Sequence, residues 1–182
     1  MNASTPTPKP TIVLIHGLWM TPSSWDTWAD RFRAQGHEVL VPGWPGIDER
    51  TPAGVRENPT ALAGIGLAQI ADHYTEIIRA LPNKPIIMGH SFGGVILQML
   101  ADRDLGLAYV GVEPGQIAGI RTLPLSTQRT GFPILSKPWK RHGTSPISKG
   151  HFHSTFGNDL TRAESDENWA EQAHPTYNTL FF

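Results

Sequence analysis

The chain has 182 residues, of which 39% are apolar and 17% charged, and its formal net charge is −1. This length suits one domain with a sizeable core. The near-neutral charge gives no sign of nucleic acid or of an anionic membrane surface as a partner, and we expect neither. There is no cysteine, which excludes disulfides, a thiolate nucleophile and thiolate metal sites.

The first ten residues are polar and rich in proline. They predict a disordered lead-in over 1–10 rather than a targeting segment. No run in the sequence approaches the ~18 apolar residues that a bilayer-spanning helix needs. A cytoplasmic location is therefore the default expectation.

Four apolar runs predict the strands of a parallel sheet. The first, at 11–15, is continuous and β-branched, as in a strand buried on both faces. The others are at 38–41, 86–89 and 105–112, and we expect the last to be buried too. Helical spacing predicts three helices. The first ends at Gly36 and has Thr21 or Ser24 as its N-cap, the second covers 61–81 after Thr60, and the third runs from 92 to about 103.

Strands and helices therefore alternate along the chain. This alternation predicts an α/β fold over 11–113, with a parallel sheet and helices on both faces.

Other stretches lack this regular pattern. The segment 43–59 is rich in proline, glycine and charge, which predicts a surface loop. Residues 115–150 show no sustained period and predict irregular structure, whereas 151–182 predicts short helices, one of them capped by Ser165 or Asp166. The aromatic-rich segment 114–182 does not form a core by itself, and we interpret it as a cap or lid.

The motif Gly-x-Ser-x-Gly stands at 89–93, between a predicted strand and a predicted helix. In this context it is typical of a nucleophile elbow, where the serine lies on a tight, strained turn with its hydroxyl exposed at the sheet edge. Gly89 and Gly93 are required where a β-carbon would crowd a neighbouring element. Ser91 is then a nucleophile, which needs a base to take its proton. The alternative is a glycine-rich turn that merely packs.

Three motifs in this order resemble the α/β-hydrolase fold family, and within it serine esterases, lipases and perhydrolase-like enzymes. They are His16-Gly17 after the first strand, Trp44-Pro45-Gly46 after the second, and the elbow at 89–94. The resemblance covers 11–113, an incomplete hydrolase core, and 114–182 lies where the family inserts its variable cap. We expect no cofactor and no metal.

The resemblance also implies roles for residues around Ser91. The oxyanion hole would be formed by the backbone N–H groups of Phe92 and of Leu18, or alternatively of Trp19. His16 and His90 would shape the loops beside the site through structural hydrogen bonds, and neither is the expected base. The side chain of His90 is expected to point away from Ser91.

Aromatic and histidine residues beside these loops are candidates for a substrate pocket. His16, Trp19 and His90 are possible pocket residues by their positions in the resemblance. Trp19 and Trp44 are candidate walls of an acyl pocket, although packing alone explains an aromatic side chain equally well.

The sequence departs from the family pattern in its acid and base. The family order is Ser, then Asp or Glu, then His, with the last two beyond the cap, and no residue here matches them. Glu113 is a tentative acid, because ligands bind at this edge of open α/β sheets; alternatively it shapes the cap entrance. We expect the cap histidines to be surface or packing residues: His142, His151, His153 and His174. The pair His151-x-His153 lacks a third ligand with clear spacing, so a metal site is not expected.

The simplest interpretation is the N-terminal part of a longer serine hydrolase that acts on a carboxylic ester or similar small acyl substrate. Serine at the elbow argues against chemistry from an aspartate nucleophile, whereas hydroxynitrile lyase and perhydrolase activities stay open. The alternative is a non-catalytic binding protein or inactive fragment that keeps the elbow without acid and base. An incomplete sheet exposes an apolar edge. We therefore expect poor solubility or a homodimer through that edge, and little or no turnover by this chain alone.

Overall fold

A computed structural model describes residues 8–47, 51–117 and 125–181. Residues 1–7 of the predicted lead-in lie outside these ranges. The strands are β1 (Ile12–Ile15), β2 (Val39–Leu40), β3 (Ile86–His90), β4 (Ala108–Val112), β5 (Thr144–Ser145) and β6 (Thr176–Tyr177). The α-helices are α1 (Asp26–Ala34), α2 (Pro52–Glu57), α3 (Leu67–Arg79), α4 (Gly93–Asp102), α5 (Leu125–Leu135), α6 (Lys149–Phe156) and α7 (Arg162–Gln172). Short 3₁₀ turns cover Pro22–Trp25, Pro59–Leu62, Pro138–Lys140 and Asn178–Phe181.

The main sheet has four parallel strands in the order β2-β1-β3-β4. The chain leaves β1 towards β2 on one side and leaves β3 towards β4 on the other. The loops after β1 and β3 therefore diverge at the carboxyl edge of the sheet. This is the switch point at which open α/β sheets bind ligands.

Apolar side chains cover both faces of this sheet. Ile12 and Leu14 of β1 pack with Trp25 and with Ala29 of α1. Val13 and Ile15, which point the other way because strand side chains alternate, join a larger core that includes α3 and α4. The predicted fold class, a parallel sheet with helices on both faces, is confirmed.

The segment 114–182 shares its core with the rest of the chain. Phe152, Tyr177 and Leu180 belong to the same buried cluster as Trp19 and Trp44. Strands β5 and β6 form a small antiparallel pair, while α6 packs on α7 and α7 packs on α2. The boundary between core and cap after residue 113 stays a prediction.

The predicted helix over 61–81 is wrong in its first part. A 3₁₀ turn ends at Leu62, and α3 begins only at Leu67. Gly64 separates them with φ +80°, a conformation that ends a helix and favours glycine. Ala68, in the first turn of α3, is exposed. The buried residues of α3 are Ile70, Ala71, Tyr74, Thr75 and Ile78.

Two stretches predicted to be irregular contain helices. Within 43–59, α2 begins after Thr51, whose hydroxyl accepts a hydrogen bond from the Gly54 N–H at 3.1 Å. Within 115–150, α5 forms although Pro133 lies inside it. Proline weakens a helix interior, but Ile134 is 3% exposed in the larger core. Tertiary packing therefore stabilises a helix that local sequence signals argue against.

The structure changes the predicted N-caps of two helices. Thr21 is the N-cap of the 3₁₀ turn Pro22–Trp25, without a side-chain hydrogen bond, and Ser24 lies inside that turn. The turn runs directly into α1, whose own N-cap is Trp25. The N-cap of α7 is Thr161, in a reciprocal capping box with Glu164. Ser165 lies inside α7 and is buried, and Asp166 follows it in the helix. The Thr161-x-x-Glu164 pattern was the better signal.

Strand β4 is an exposed edge and not the buried strand predicted over 105–112. It begins at Ala108 and pairs with β3. Val110 is 40% exposed, and Leu107 just before the strand is 61% exposed. A strand is buried only when neighbouring elements cover its free edge and both of its faces. Among the described residues, no element covers β4 in this way.

Candidate active site

Ser91 occupies a strained turn between β3 and α4. Its φ is +52°, a region that residues with a β-carbon rarely adopt. Three backbone hydrogen bonds hold the turn: the Ser91 N–H donates to the Val112 carbonyl at 3.0 Å, and the Ser91 carbonyl accepts from Gly94 at 2.9 Å and Gly115 at 2.7 Å. The surrounding backbone thus offsets the cost of the unusual φ.

Glycines allow the elbow to pack tightly against its neighbours. A β-carbon at Gly89 would lie within 3.0 Å of the Gly93 carbonyl, and one at Gly93 would overlap the carbonyls of Ile15 and His16. A β-carbon at Gly17 would stand 3.1 Å from the Ser91 Cβ. The end of β1 and the elbow are therefore in direct backbone contact, as the motif predicts.

The loop after β1 presents unpaired backbone donors beside this contact. The N–H groups of Leu18 and Phe92 donate to no acceptor among the described residues, and neither does that of Trp19. Trp19 also has a positive φ of +61°. Unpaired donors next to a nucleophile are what an oxyanion hole requires. The choice between Leu18 and Trp19 as second donor stays a prediction.

His16 is a buried neutral group. Burial lowers its pKa to about 3; the hydrogen bond to the Gly17 carbonyl opposes this shift, and smaller contributions from His174 and His90 add to it. Nδ1 lies 3.0 Å from that carbonyl, which can only accept, so Nδ1 carries the hydrogen. Nε2 is buried and has no hydrogen-bond partner among the described residues. With so low a pKa, His16 is a poor general base, in line with the structural role expected for it.

His90 lies on the α1 side of the sheet. Its ring meets the edge of the Trp25 ring, with centroids 6.3 Å apart. Burial lowers the pKa of His90, and the negative charge of Glu113 acts in the opposite direction. Glu113, exposed and with φ +43°, therefore acts electrostatically on His90. Its role as catalytic acid stays a prediction.

Aromatic rings enclose the elbow from the cap side. Trp44 stacks on His16 at 5.0 Å and on Tyr177 at 5.7 Å between centroids. Phe92, which follows Ser91, stacks on Phe181 at 6.5 Å. The candidate pocket residues His16 and Trp19 are almost fully buried beneath this layer. The surroundings of Ser91 are consequently apolar.

Hydrogen bonds join the end of α7 to the loop after β1. The His174 N–H donates to the Trp19 carbonyl at 3.0 Å, and His174 Nε2 lies 2.6 Å from the Met20 carbonyl. The Gln172 side-chain oxygen accepts from the hydroxyls of Thr21 at 3.2 Å and Ser23 at 2.9 Å. Nδ1 of the His174 ring lies 2.6 Å from the Pro175 carbonyl, and a neutral imidazole donates to only one of the two carbonyls. We call the four contacts with the loop after β1 the α7 latch. The latch holds the loop that carries the predicted oxyanion donors.

No imidazole or carboxylate hydrogen-bonds the Ser91 hydroxyl within the described part of the chain. Of the cap histidines, His174 is 2% exposed and belongs to the latch. His151 lies 6.3 Å from Trp19 between ring centroids, and burial lowers its pKa. His142 is exposed, and His153 has a buried Nδ1. Over 8–47, 51–117 and 125–181, no cluster of His, Asp or Glu is arranged to hold a metal ion.

A family model described as "Alpha/beta hydrolase family" matches residues 12–181, nearly the whole chain. The chain belongs to the alpha/beta hydrolase family. The predicted family, and with it the prediction of an α/β-hydrolase enzyme, is confirmed. A search of curated proteins returns no match.

Solved structures of alpha/beta hydrolases share this fold. An extracellular alpha/beta-hydrolase from a Paenibacillus species matches with TM-score 0.68 and 23% identity, over 91% of this chain and 67% of that one. A methylesterase from Arabidopsis has TM-score 0.63 and 13% identity, over 95% and 69%. Tomato Methylketone Synthase I complexed with 2-tridecanone has TM-score 0.61 and 16% identity, over 93% and 68%. The chain therefore spans about two thirds of the length of these relatives, and the likeness shows the fold.

Sequence reasoning missed the contacts between the cap segment and the first loop. His174 was expected to be a surface or packing residue, and neither Gln172 nor Tyr177 was expected near the site. These residues are separated from their partners by more than 130 positions. No local pattern reports such pairings.

Proposed function

We propose that this alpha/beta hydrolase is a serine hydrolase acting on a carboxylic ester or similar small acyl compound. Ser91 is the nucleophile, and the backbone N–H groups of Phe92 and Leu18 bind the oxyanion. The observation that carries the proposal is the positive φ of Ser91 on a turn between β3 and α4, packed against the loop after β1. The apolar rings around the elbow favour an apolar acyl group.

The proposed reaction proceeds in two steps. The Ser91 Oγ attacks the ester carbonyl carbon as its proton passes to a base, and the carbonyl oxygen takes the negative charge in the oxyanion hole. The intermediate collapses, the C–O bond to the alcohol breaks, and the alcohol leaves with a proton. Water then releases the acid from the acyl-serine. Losing one oxyanion donor costs about 2.7–4 kcal/mol of transition-state stabilisation.

A fluorophosphonate probe tests the nucleophile directly. We expect labelling at Ser91 and none in Ser91→Ala, while Ser154→Ala, which removes an exposed serine of α6, is labelled like the wild type. Peptide mapping locates the label. Labelling at another residue, or labelling that Ser91→Ala leaves intact, contradicts the assignment of the nucleophile.

The second candidate function is a non-catalytic binding protein that keeps the elbow. It is favoured by the absence, among described residues, of a base hydrogen-bonded to Ser91. Turnover of a short-chain p-nitrophenyl ester separates the cases. Labelling with steady turnover supports the complete enzyme, labelling without turnover supports a reactive serine that lacks its base, and no labelling supports the binding protein.

A further inference from the structure

The first part of the cap segment, residues 114–158, is strongly basic, although the chain as a whole is nearly neutral. Residues 114–158 include six of the fifteen Lys and Arg residues and none of the sixteen Asp and Glu residues. Five of these cations are exposed. Lys149 pairs with Asp166 of α7, and the other four are Arg129, Lys137, Lys140 and Arg141. None of the four forms an ion pair with another described residue. Net charge alone therefore conceals a basic surface.

The same stretch exposes large apolar side chains. Leu125 is 83% exposed, Phe132 67%, Leu135 47% and Trp139 76%. Leu125 and Phe132 are two turns apart on α5, and their side of the helix is opposite the buried Ile134. The basic apolar surface comprises Leu125, Arg129, Phe132, Leu135, Lys137, Trp139, Lys140 and Arg141.

An anionic lipid surface matches both properties. Leucine, phenylalanine and tryptophan enter the boundary between head groups and acyl chains, while lysine and arginine pair with anionic head groups. We propose that the basic apolar surface docks this protein reversibly on an anionic bilayer. Among the described residues no helix is both long and apolar enough to cross a membrane, so the docking is peripheral.

Other occupants fit the surface less well. A second copy would bring four unpaired cations of each chain together, and like charges repel. Single-stranded nucleic acid stacks its bases on aromatic rings, but Leu125 and Leu135 have aliphatic side chains, on which bases do not stack. The combination of aliphatic and basic side chains therefore selects the bilayer.

Vesicle co-sedimentation with the full chain tests the proposal. We expect binding to phosphatidylcholine vesicles that contain phosphatidylserine and not to phosphatidylcholine alone. Binding should weaken with added salt, because the Debye length falls from about 10 Å at 0.1 M to about 3 Å at 1 M. Replacing Lys137, Lys140 and Arg141 together by glutamine should lower the affinity about fivefold for each cation removed. Phe132→Ser and Trp139→Ser should lower it as well.

Matched controls lie on α1, which packs on the opposite face of the main sheet from the core that contains Ile134 of α5. Arg31→Gln with Arg33→Gln removes exposed cations, and Trp28→Ser removes a tryptophan that is 46% exposed; both should bind like the wild type. A second measurement needs no charge variant. Brominated lipids should quench tryptophan fluorescence more strongly in the wild type than in Trp139→Phe. Three results would overturn the proposal. The first is no dependence of binding on phosphatidylserine, and the second is an equal loss of binding in the control variants. The third is binding of a single-stranded oligonucleotide that the substitutions in the basic apolar surface weaken, with no binding to vesicles.

Discussion

At the carboxyl edge of the sheet, three residues with a β-carbon have positive φ: Trp19, Ser91 and Glu113. Such backbone strain concentrates where a fold positions reactive groups. Each of these residues lies in a loop that follows a strand of the main sheet, and Ser91 is packed against the loop that contains Trp19. The energetic cost at Ser91 can be measured by substitution.

Replacing Ser91 should reverse the usual stability order of glycine and alanine. A β-carbon at positive φ costs about 1–2 kcal/mol, so Ser91→Gly should be more stable than Ser91→Ala by about that amount. At Ser154, inside α6, alanine should be more stable than glycine by about 1 kcal/mol. Urea unfolding of the four variants measures both differences. If alanine is more stable than glycine at both positions, the turn at Ser91 is not strained.

His16 should make stability depend on pH. Its pKa is about 3 in the fold and 6.5 when unperturbed, so the unfolded chain binds a proton between these values that the folded chain does not. Stability should therefore fall as the pH drops from about 6.5 towards 3, by up to about 1.4 kcal/mol per pH unit from this group.

The variant His16→Phe keeps a ring against Trp44 and removes the titrating group. The free energy of unfolding, measured against pH for both proteins, should fall less steeply in the variant. Parallel curves would mean that His16 is not held neutral.

At the scale of elements, the α7 latch links the cap segment to the loop after β1. His174→Leu removes the contact between the imidazole and the Met20 carbonyl and frees a loop that carries a predicted oxyanion donor. Small displacements of catalytic groups cost large factors in rate. We expect Ser91 labelling by the fluorophosphonate to slow by about tenfold or more.

His37→Leu is the matched control for the latch. It removes a histidine whose Nδ1 lies 2.8 Å from the Pro10 carbonyl, at the opposite edge of the sheet. Labelling should be unchanged, and thermal unfolding of both variants reports their folding. Gln172→Leu, which removes two other bonds of the latch, is a second test. Equal labelling rates in the wild type and both latch variants would rule the latch out as a positioning device.

At the scale of the whole molecule, β4 leaves one edge of the sheet open among the described residues. Exposed strand edges promote association with other chains, and we propose a homodimer through this edge. Val110→Lys places a charge on β4 and should reduce self-association. Leu160→Lys, at a position 38% exposed outside the sheet, should not. Sedimentation velocity compares the three proteins, and a wild type that stays monomeric would contradict the proposal.

Features carried by local patterns were predictable from the sequence. The Gly89-to-Gly93 motif and the apolar runs predicted the elbow and the four parallel strands, because strand-forming runs and turn residues are recognisable from neighbouring positions in the sequence. Helix α5, with its internal Pro133, was not predictable, since it depends on packing by Ile134. The exposure of β4 was missed for a similar reason: an apolar strand has the same sequence pattern whether or not a neighbour covers it.

The sequence by itself determined the family, the order of strands and helices along the chain from residue 11 to 113, and the position of the nucleophile candidate. Only the tertiary structure decided which distant groups meet at that position: Gly17 against Ser91, the α7 latch on the first loop, and the rings of Tyr177 and Phe181 above the elbow. It also decided that four cations of the cap segment, Arg129, Lys137, Lys140 and Arg141, have no ion-pair partner among the described residues and lie near exposed apolar side chains. These are long-range pairings, set by how the elements pack, and no local period in the chain encodes them.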